Sequence, residues 1–251
     1  MLDWIRRIRK VTQTLSLPSR DNSAGRSQGQ LNASKVIPAT EVFFANLIQT
    51  QLLVADLLED DATPAPKAEW AQSQSKLALH YRARAGELKD LLIKQGSTHI
   101  ELQQQARDRL DELVVRTEGQ NWYEDLIRIY LVFGLLEDAY LRISKGLSPA
   151  RRLRVEAMLS DNQMLDFCQA SLKEAIAENP GLADELALFG RAIIADALLE
   201  LRDALDFSRL IDNPPAEQAE LTREQFRIIE PLTSELIGAH TLRMDSLGLT
   251  A

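Results

Sequence analysis

Residues 121–149 read NWYEDLIRIYLVFGLLEDAYLRISKGLSP, and this stretch decides the fold. Its large apolar residues recur at alternating steps of four and three, the pattern of a helix packed lengthwise against other helices. Asn121 and Glu124 form a capping box that predicts the start of this helix, and Gly146 is a typical stop. The apolar row comprises Trp122, Leu126, Ile129, Phe133, Leu136, Tyr140, Ile143 and Leu147.

A second long helix is predicted from Ser148 to Ile176, because Ser148 is followed by a proline suited to the first turn. Asp161 is the one acid in the apolar row of this helix. A buried carboxylate needs a partner, so Asp161 is a candidate for a functional or structural site. The row comprises Met158, Asp161, Leu165, Cys168 and Leu172.

The composition indicates an all-α globular protein. Of the 251 residues, 45% are apolar and 26% are charged, which is ordinary for a soluble protein, and no run alternates as a strand would. The net charge of −8 disfavours general nucleic-acid binding. Cys168 is the only cysteine, so neither an internal disulfide nor a multi-thiolate metal site is expected. No apolar run of membrane-spanning length stands out, and a cytoplasmic location is expected.

The first 40 residues carry seven basic residues against two acidic ones, so they differ from the acidic remainder. Residues 2–15 are compatible with a short basic amphipathic helix. Such a helix binds an anionic membrane surface or a protein partner, or else lies on its own bundle or frays in solvent. Residues 17–39 are rich in Ser, Asn, Gly and Gln and predict a flexible linker. The candidate surface-binding residues are Trp4, Arg6, Arg7, Arg9 and Lys10.

Residues 40–251 are predicted to form one domain of six or seven helices. Short Pro- and Gly-containing turns separate helical patterns near 40–61, 67–95, 100–117, 182–210 and 222–247, which favours an antiparallel bundle. Pro231 is expected to kink or split the last helix. The third of these helices is more polar and is expected to cross the outside of the bundle.

Several segments carry a resemblance to a known family. They are WYEDL at 122–126, LFGR at 188–191, DAL at 196–198 and, above all, AHTLRMDSLGL at 239–249. Over roughly residues 40–249 the chain resembles the actinobacterial ferritin-like proteins grouped with tRNA-isopentenyladenosine hydroxylase. The resemblance implies an antiparallel four-helix bundle core with additional helices. For oxygenase members it also implies two irons, held by an acid on one helix and an acid-x-x-His pair on the next, with this set repeated.

This chain departs from that ligand pattern. It contains no Glu-x-x-His, and its three histidines lack acids at ligand spacing. Only Asp161 among the six aligned positions is a potential ligand, so no metal ligand, catalytic residue or cofactor is assigned. The six positions fall on Gln51, Tyr81, Arg84, a residue near Phe133, Asp161 and Met164.

Three hypotheses of function follow. The first is a metal-free ferritin-like protein that serves as a binding or scaffold module for a protein or small-molecule partner. The second is a di-iron oxygenase resembling the tRNA hydroxylase, with ligands placed elsewhere. The third is a bundle tethered to a membrane or a partner by residues 2–15. The sequence does not define the oligomeric state.

The altered ligand positions generate a structural prediction. Arg84 and Asp161 lie on otherwise apolar rows, and each would be costly to bury without a partner. We expect them to meet, directly or through one water, with Tyr81 and Gln51 supplying further hydrogen bonds. The fixed charge of Arg84 would then replace the charge of the metal.

Overall fold

The computed structural model describes residues 31–93, 99–211 and 214–250, which form helices and turns with no strand among them. The candidate arm residues Trp4, Arg6, Arg7, Arg9 and Lys10 lie outside the described residues. The helices are α1 (Ala33–Val36), α2 (Thr40–Asp60), α3 (Ala68–Ile93), α4 (Ile100–Arg116), α5 (Trp122–Arg128), a π-helical turn (Ile129–Phe133), α6 (Gly134–Ile143), a 3₁₀ turn (Ser144–Gly146), α7 (Pro149–Leu159), α8 (Gln163–Glu178), α9 (Leu182–Asp203) and α10 (Gln218–Ser246).

Side-chain contacts fix the relative directions of α2 and α3. The Trp122 indole N–H donates to the Asp61 carbonyl at 2.9 Å and to Gln74 Oε1 at 3.3 Å, so Asp61 and Gln74 lie at one level. Arg82 Nη1 lies 3.0 Å from Asp56 Oδ1. From the contact at Trp122 to the Arg82–Asp56 contact, residue numbers rise on α3, from 74 to 82, while they fall on α2, from 61 to 56. The two helices are therefore antiparallel.

The same reasoning orients the third core segment, α5 to α6. Trp122 lies at the level of Asp61, whereas Gln51 donates to Glu137 at 3.0 Å. The segment therefore runs antiparallel to α2 and parallel to α3. Its apolar row is buried as predicted, with Leu126, Ile129 and Phe133 fully inaccessible to solvent.

The fourth core segment, α7 to α8, runs antiparallel to α3. Lys67 Nζ lies 2.7 Å from Glu174 Oε1, while Arg84 Nη2 lies 3.3 Å from Asp161 Oδ2. Since α3 and the α5–α6 segment point the same way, the chain between them must return along the length of the bundle, and α4 lies in that connection. One long crossover of this kind is a recognised topology of four-helix bundles.

Two further interactions attach the outer helices. Arg109 on α4 lies 3.0 Å from the buried Glu200 on α9 and donates to Asn46 on α2 at 3.2 Å. α10 packs on α6 and α9. Among the described helices, α2 alone has the length and apolar composition of a membrane span, yet 78% of its most apolar window is buried inside the protein. Burial of this extent is what a core helix shows.

Several boundaries differ from those predicted. The helix expected from Ser148 to Ile176 is two helices, because residues 160–162 leave the α conformation. The helix expected to reach Leu210 ends at Asp203, and α10 is continuous through Pro231. Apolar periodicity continues across the break because both helices bury one face, so periodicity alone does not reveal it.

The end of the predicted linker is also different. Ala33–Val36 form α1, and Val36 and Ile37 are buried. Asn32 caps this short helix by accepting from the Ser34 N–H at 3.1 Å. A Cβ on Gly146 would lie 2.9 Å from Ile37 Cγ2, so a glycine at 146 permits the close approach of α1.

The packing of α9 supplies a first prediction. A Cβ on Gly190 would lie 2.8 Å from Met244 Sδ and 2.9 Å from Leu131 Cδ1, whereas a Cβ on Gly86 would meet nothing within 4 Å. We expect Gly190→Ala to be less stable than the matched Gly86→Ala by about 1–3 kcal/mol, since overpacking opposes the gain in helix propensity. Urea unfolding measures both. Equal stabilisation by the two substitutions would show that α9 is not so closely packed.

Candidate functional site: a buried charge cluster beside a groove

Arg84 lies between two carboxylates in the interior of the bundle. Its side chain is 6% exposed, and Nη1 lies 3.6 Å from Glu137 Oε1. Its Nη2 lies 3.3 Å from Asp161 Oδ2 and donates to the Asp161 carbonyl at 3.2 Å. The expected contact between Arg84 and Asp161 is thus present and direct.

Glu137 is the residue that sequence reasoning missed. The third-helix acid was expected near Phe133, but the buried carboxylate lies one helical turn beyond it, at Glu137 on α6. Burial raises the pKa of Glu137, while the Gln51 amide and Arg84 act in the opposite direction. The sequence does contain a sign of this acid: Glu137 follows Phe133 by four residues, so it lies on the same helix face as the apolar row. Gln51 bonds to Glu137, and not to Arg84 or Asp161 as expected.

The aromatic ring of Tyr81 packs against the Arg84 guanidinium. The Arg84 guanidinium lies 4.8 Å from the ring centroid, a cation–π arrangement. The Tyr81 hydroxyl interacts with Glu137 and opposes the rise in the pKa of that acid, whereas Gln51 Oε1 has no hydrogen-bond partner among the described residues. Burial and the neighbouring Glu137 raise the pKa of Tyr81, so the phenol is neutral. The hydrogen bond expected from Tyr81 to the Arg84–Asp161 pair is not formed.

Asp161 connects the cluster to the surface. It lies in the break between α7 and α8, where its Oδ1 accepts from the Gln163 N–H at 3.1 Å. Its Oδ2 lies 2.8 Å from His80 Nε2, so His80 contacts the edge of the cluster. Partial burial opposes ionisation, but the Gln163 N–H, Arg84 and His80 hold the pKa of Asp161 below its usual value. Asp161 is therefore an ionised carboxylate at physiological pH.

A groove of about 450 Å³ lies beside the cluster, between α3 and α7. Arg84 and Asp161 form its inner end. The α3 wall has residues at steps of three and four, as one helix face requires. A volume of this order is typical of small-molecule sites. The lining residues are His80, Arg84, Glu87, Asp90, Leu91, Arg154, Ala157, Met158 and Asp161.

The cluster does not fit a di-iron centre. Within the described ranges, no three His, Cys, Asp or Glu residues are grouped as metal ligands. The two carboxylates present, Glu137 and Asp161, already share a guanidinium, and a fixed positive charge between them repels a metal cation. Met164, at the sixth aligned position, is buried. Its thioether is a ligand for softer metals than the iron of oxygenases.

Comparison with known families agrees with this architecture. A family model described as a ferritin-like domain of actinomycetes matches residues 40–205, about two thirds of the chain. The chain therefore belongs to this ferritin-like family. The match covers the four core segments, α4 and α9. A search of curated proteins finds no match.

A second buried polar cluster surrounds Asp61 at the carboxyl end of α2. Burial and the nearby Asp125 raise the pKa of Asp61 to about 7, against a lowering by Arg128. In the described part of the chain, Asp61 Oδ2, Gln74 Nε2 and Arg128 Nε are buried without hydrogen-bond partners. Burial and Asp61 also raise the pKa of the Cys168 thiol, so this cysteine is not a reactive thiolate.

The arginine between two acids supplies a second prediction. Arg84→Met leaves Glu137 and Asp161 without their shared cation, so we expect a loss of about 3–5 kcal/mol in the free energy of unfolding. The loss should grow with pH. The pKa of Glu137 is already raised, and removal of Arg84 raises it further. A folded state that favours protonated Glu137 loses this stabilisation as pH rises through that pKa. Denaturant unfolding at several pH values measures this.

Two variants sharpen the test. Arg82→Met, on the exposed side of the same helix, should cost about 1 kcal/mol or less. Glu137→Gln combined with Arg84→Met should recover part of the loss, because the buried carboxylate is then absent. If Arg84→Met alone were no more destabilising than Arg82→Met, the assigned role of Arg84 would be contradicted.

Asp61 supplies a prediction about pH. Its pKa is about 7 in the folded protein against 3.8 in the unfolded chain, so the folded state binds the extra proton between these values. Stability from this group is present below pH 3.8 and is lost as pH rises towards 7, by up to about 4 kcal/mol. We therefore expect Asp61→Asn to gain stability relative to the wild type as pH rises through this range.

The comparison must be a difference between variants, because His240 titrates in the opposite sense. Burial lowers the pKa of His240 to about 4, so its contribution is lost as pH falls below 6.5. Asp184→Asn, at an exposed position in the first turn of α9, is the control and should leave the profile parallel to that of the wild type. Parallel profiles for Asp61→Asn as well would refute the raised pKa.

Proposed function

We propose that this ferritin-like protein is a metal-free binding protein, in which Arg84 occupies the place of the metal charge and the adjacent groove receives a ligand. The observation that carries the proposal is the guanidinium of Arg84 at 3.6 Å from Glu137 and 3.3 Å from Asp161. In a di-iron carboxylate protein these acids would face the metals. Here they face a cation that the chain itself provides.

The charge balance of the cluster supports the metal-free state. One guanidinium neutralises one carboxylate, and the partly buried Asp161, whose pKa is lowered, is the natural counterion. Burial raises the pKa of the second acid, Glu137, and so favours its neutral form, while Gln51 and Arg84 act in the opposite direction. Each charged group of the cluster thus has a partner within the chain and does not depend on a metal for one.

The groove supports the binding role. It opens directly onto the cluster and combines apolar side chains, Leu91 and Met158, with charged ones. Sites with this mixture hold ligands by apolar contact and orient them by a few polar groups. The Asp161 carboxylate is already held by Gln163, Arg84 and His80, and we therefore favour binding over catalysis.

The cellular setting is part of the proposal. We infer a cytoplasmic protein of an actinobacterium, related to the tRNA-isopentenyladenosine hydroxylase group. The actinomycete description of the family and the buried α2 support this inference. The acidic net charge argues against tRNA as the ligand.

One preparation tests both parts of the proposal. The protein is expressed in an actinobacterial host in iron-supplemented medium, its iron is quantified, and small molecules released by denaturation are analysed by mass spectrometry. We expect far less than one iron per chain and a compound that co-purifies. Ala157→Trp, which fills the groove, should lose the compound, whereas Leu153→Trp, on the exposed side of the same helix, should keep it.

Two tightly bound irons per chain would overturn the metal-free assignment. A compound retained equally by Ala157→Trp and Leu153→Trp would place binding outside the groove, and the absence of any released compound would oppose the binding role.

A further inference from the structure

The outer part of the groove carries opposite charges that face each other without pairing. Glu87 and Asp90 belong to the α3 wall, and Arg154 belongs to the α7 wall. Across the described residues, none of the three has an ion-pair or hydrogen-bond partner. The groove therefore presents unpaired charges of both signs to a ligand.

The inner end of the groove is already saturated. Asp161 accepts from Gln163 and lies against both His80 and Arg84. These contacts tie α3 to the start of α8 and close the groove at this end. Arg154 lies two helical turns before Asp161, so its charge is free at the other end, opposite the later turns of α3.

Apolar side chains line the same groove beside these charges. Leu91 on one wall and Met158 and Ala157 on the other are half-buried or exposed in the groove. A ligand that covers them gains from apolar contact. It also removes water from around the unpaired charges, which strengthens their interaction with groups of opposite sign.

We propose that the groove binds a zwitterionic small molecule of the dipeptide class. Its ammonium group lies against Glu87 and Asp90, its carboxylate lies against Arg154, and an apolar side chain contacts Leu91 and Met158. This inference rests on the proposed binding function and specifies its ligand.

A set of three probes tests the assignment of charge. Leucyl-leucine, N-acetyl-leucyl-leucine and leucyl-leucine amide differ in which terminal charge they carry. We expect isothermal titration calorimetry at low salt to show that the zwitterion binds about tenfold or more tightly than either blocked form. Binding should weaken as salt is added, because the charges at the rim are screened.

Variants of the groove test which side chain binds each terminal charge of the probe. Arg154→Gln should reduce binding of leucyl-leucine to the level of its amide, and Glu87→Gln should reduce it to the level of the N-acetyl form. Arg152→Gln is the matched control, since Arg152 pairs with Glu156 at 2.7 Å outside the groove. All three positions are exposed, so circular dichroism should show unchanged folding.

Three outcomes would overturn the proposal. Equal binding of the amide would make the groove a site for cations, equal binding of the N-acetyl form would make it a site for anions, and no binding of any probe would exclude the dipeptide class. The iron and co-purification measurements use none of these probes. A metal-free protein whose groove retains another compound would therefore refute only the ligand class and leave the proposed function standing.

Discussion

The contact of one guanidinium with a buried and a partly buried carboxylate constrains most of this bundle. Arg84, Glu137 and Asp161 come from three of the four core segments, and the Glu137 partner Gln51 comes from the fourth. A shift of any segment by one turn would leave a charged group in an apolar interior, at a cost of several kcal/mol. We infer that the cluster selects one register among the many that apolar packing alone allows, a role that buried polar groups have in some helical assemblies.

Much of this arrangement could be predicted from the sequence, and what could not has physical causes. Helix periodicity identified the core rows because nearly every apolar residue in them is buried, and the cost of burying charge identified the Arg84–Asp161 contact. Glu137 was missed because the third acid was sought one turn too early. A π-helical turn at Ile129–Phe133 interrupts the regular α spacing just before it. Such turns are frequent at functional sites, but their wider spacing leaves no simple mark in an apolar run.

The break at residues 160–162 was also invisible to periodicity, and it matters for the groove. An uninterrupted fourth helix would present Asp161 as one more side chain on a straight row. The break lets the Asp161 carboxylate accept from the backbone N–H of Gln163 while its carbonyl receives Arg84. It also ends α7 before α8 begins. The groove occupies the space left between α3 and α7.

The proposed function requires a ferritin-like fold to be stable without a metal, and the same features account for this. A bundle core with two acids facing inward requires compensating positive charge, and packing does not depend on whether that charge comes from a metal or from a side chain. A guanidinium is bulkier than a metal ion, spreads its charge, and brings five donors in a plane. It therefore needs a flat neighbour and acceptors at fixed places, which Tyr81, Glu137 and the Asp161 carbonyl provide. In the proposed function, the helices that would hold reactive metals hold an inert cation, and the ligand binds in the adjacent groove.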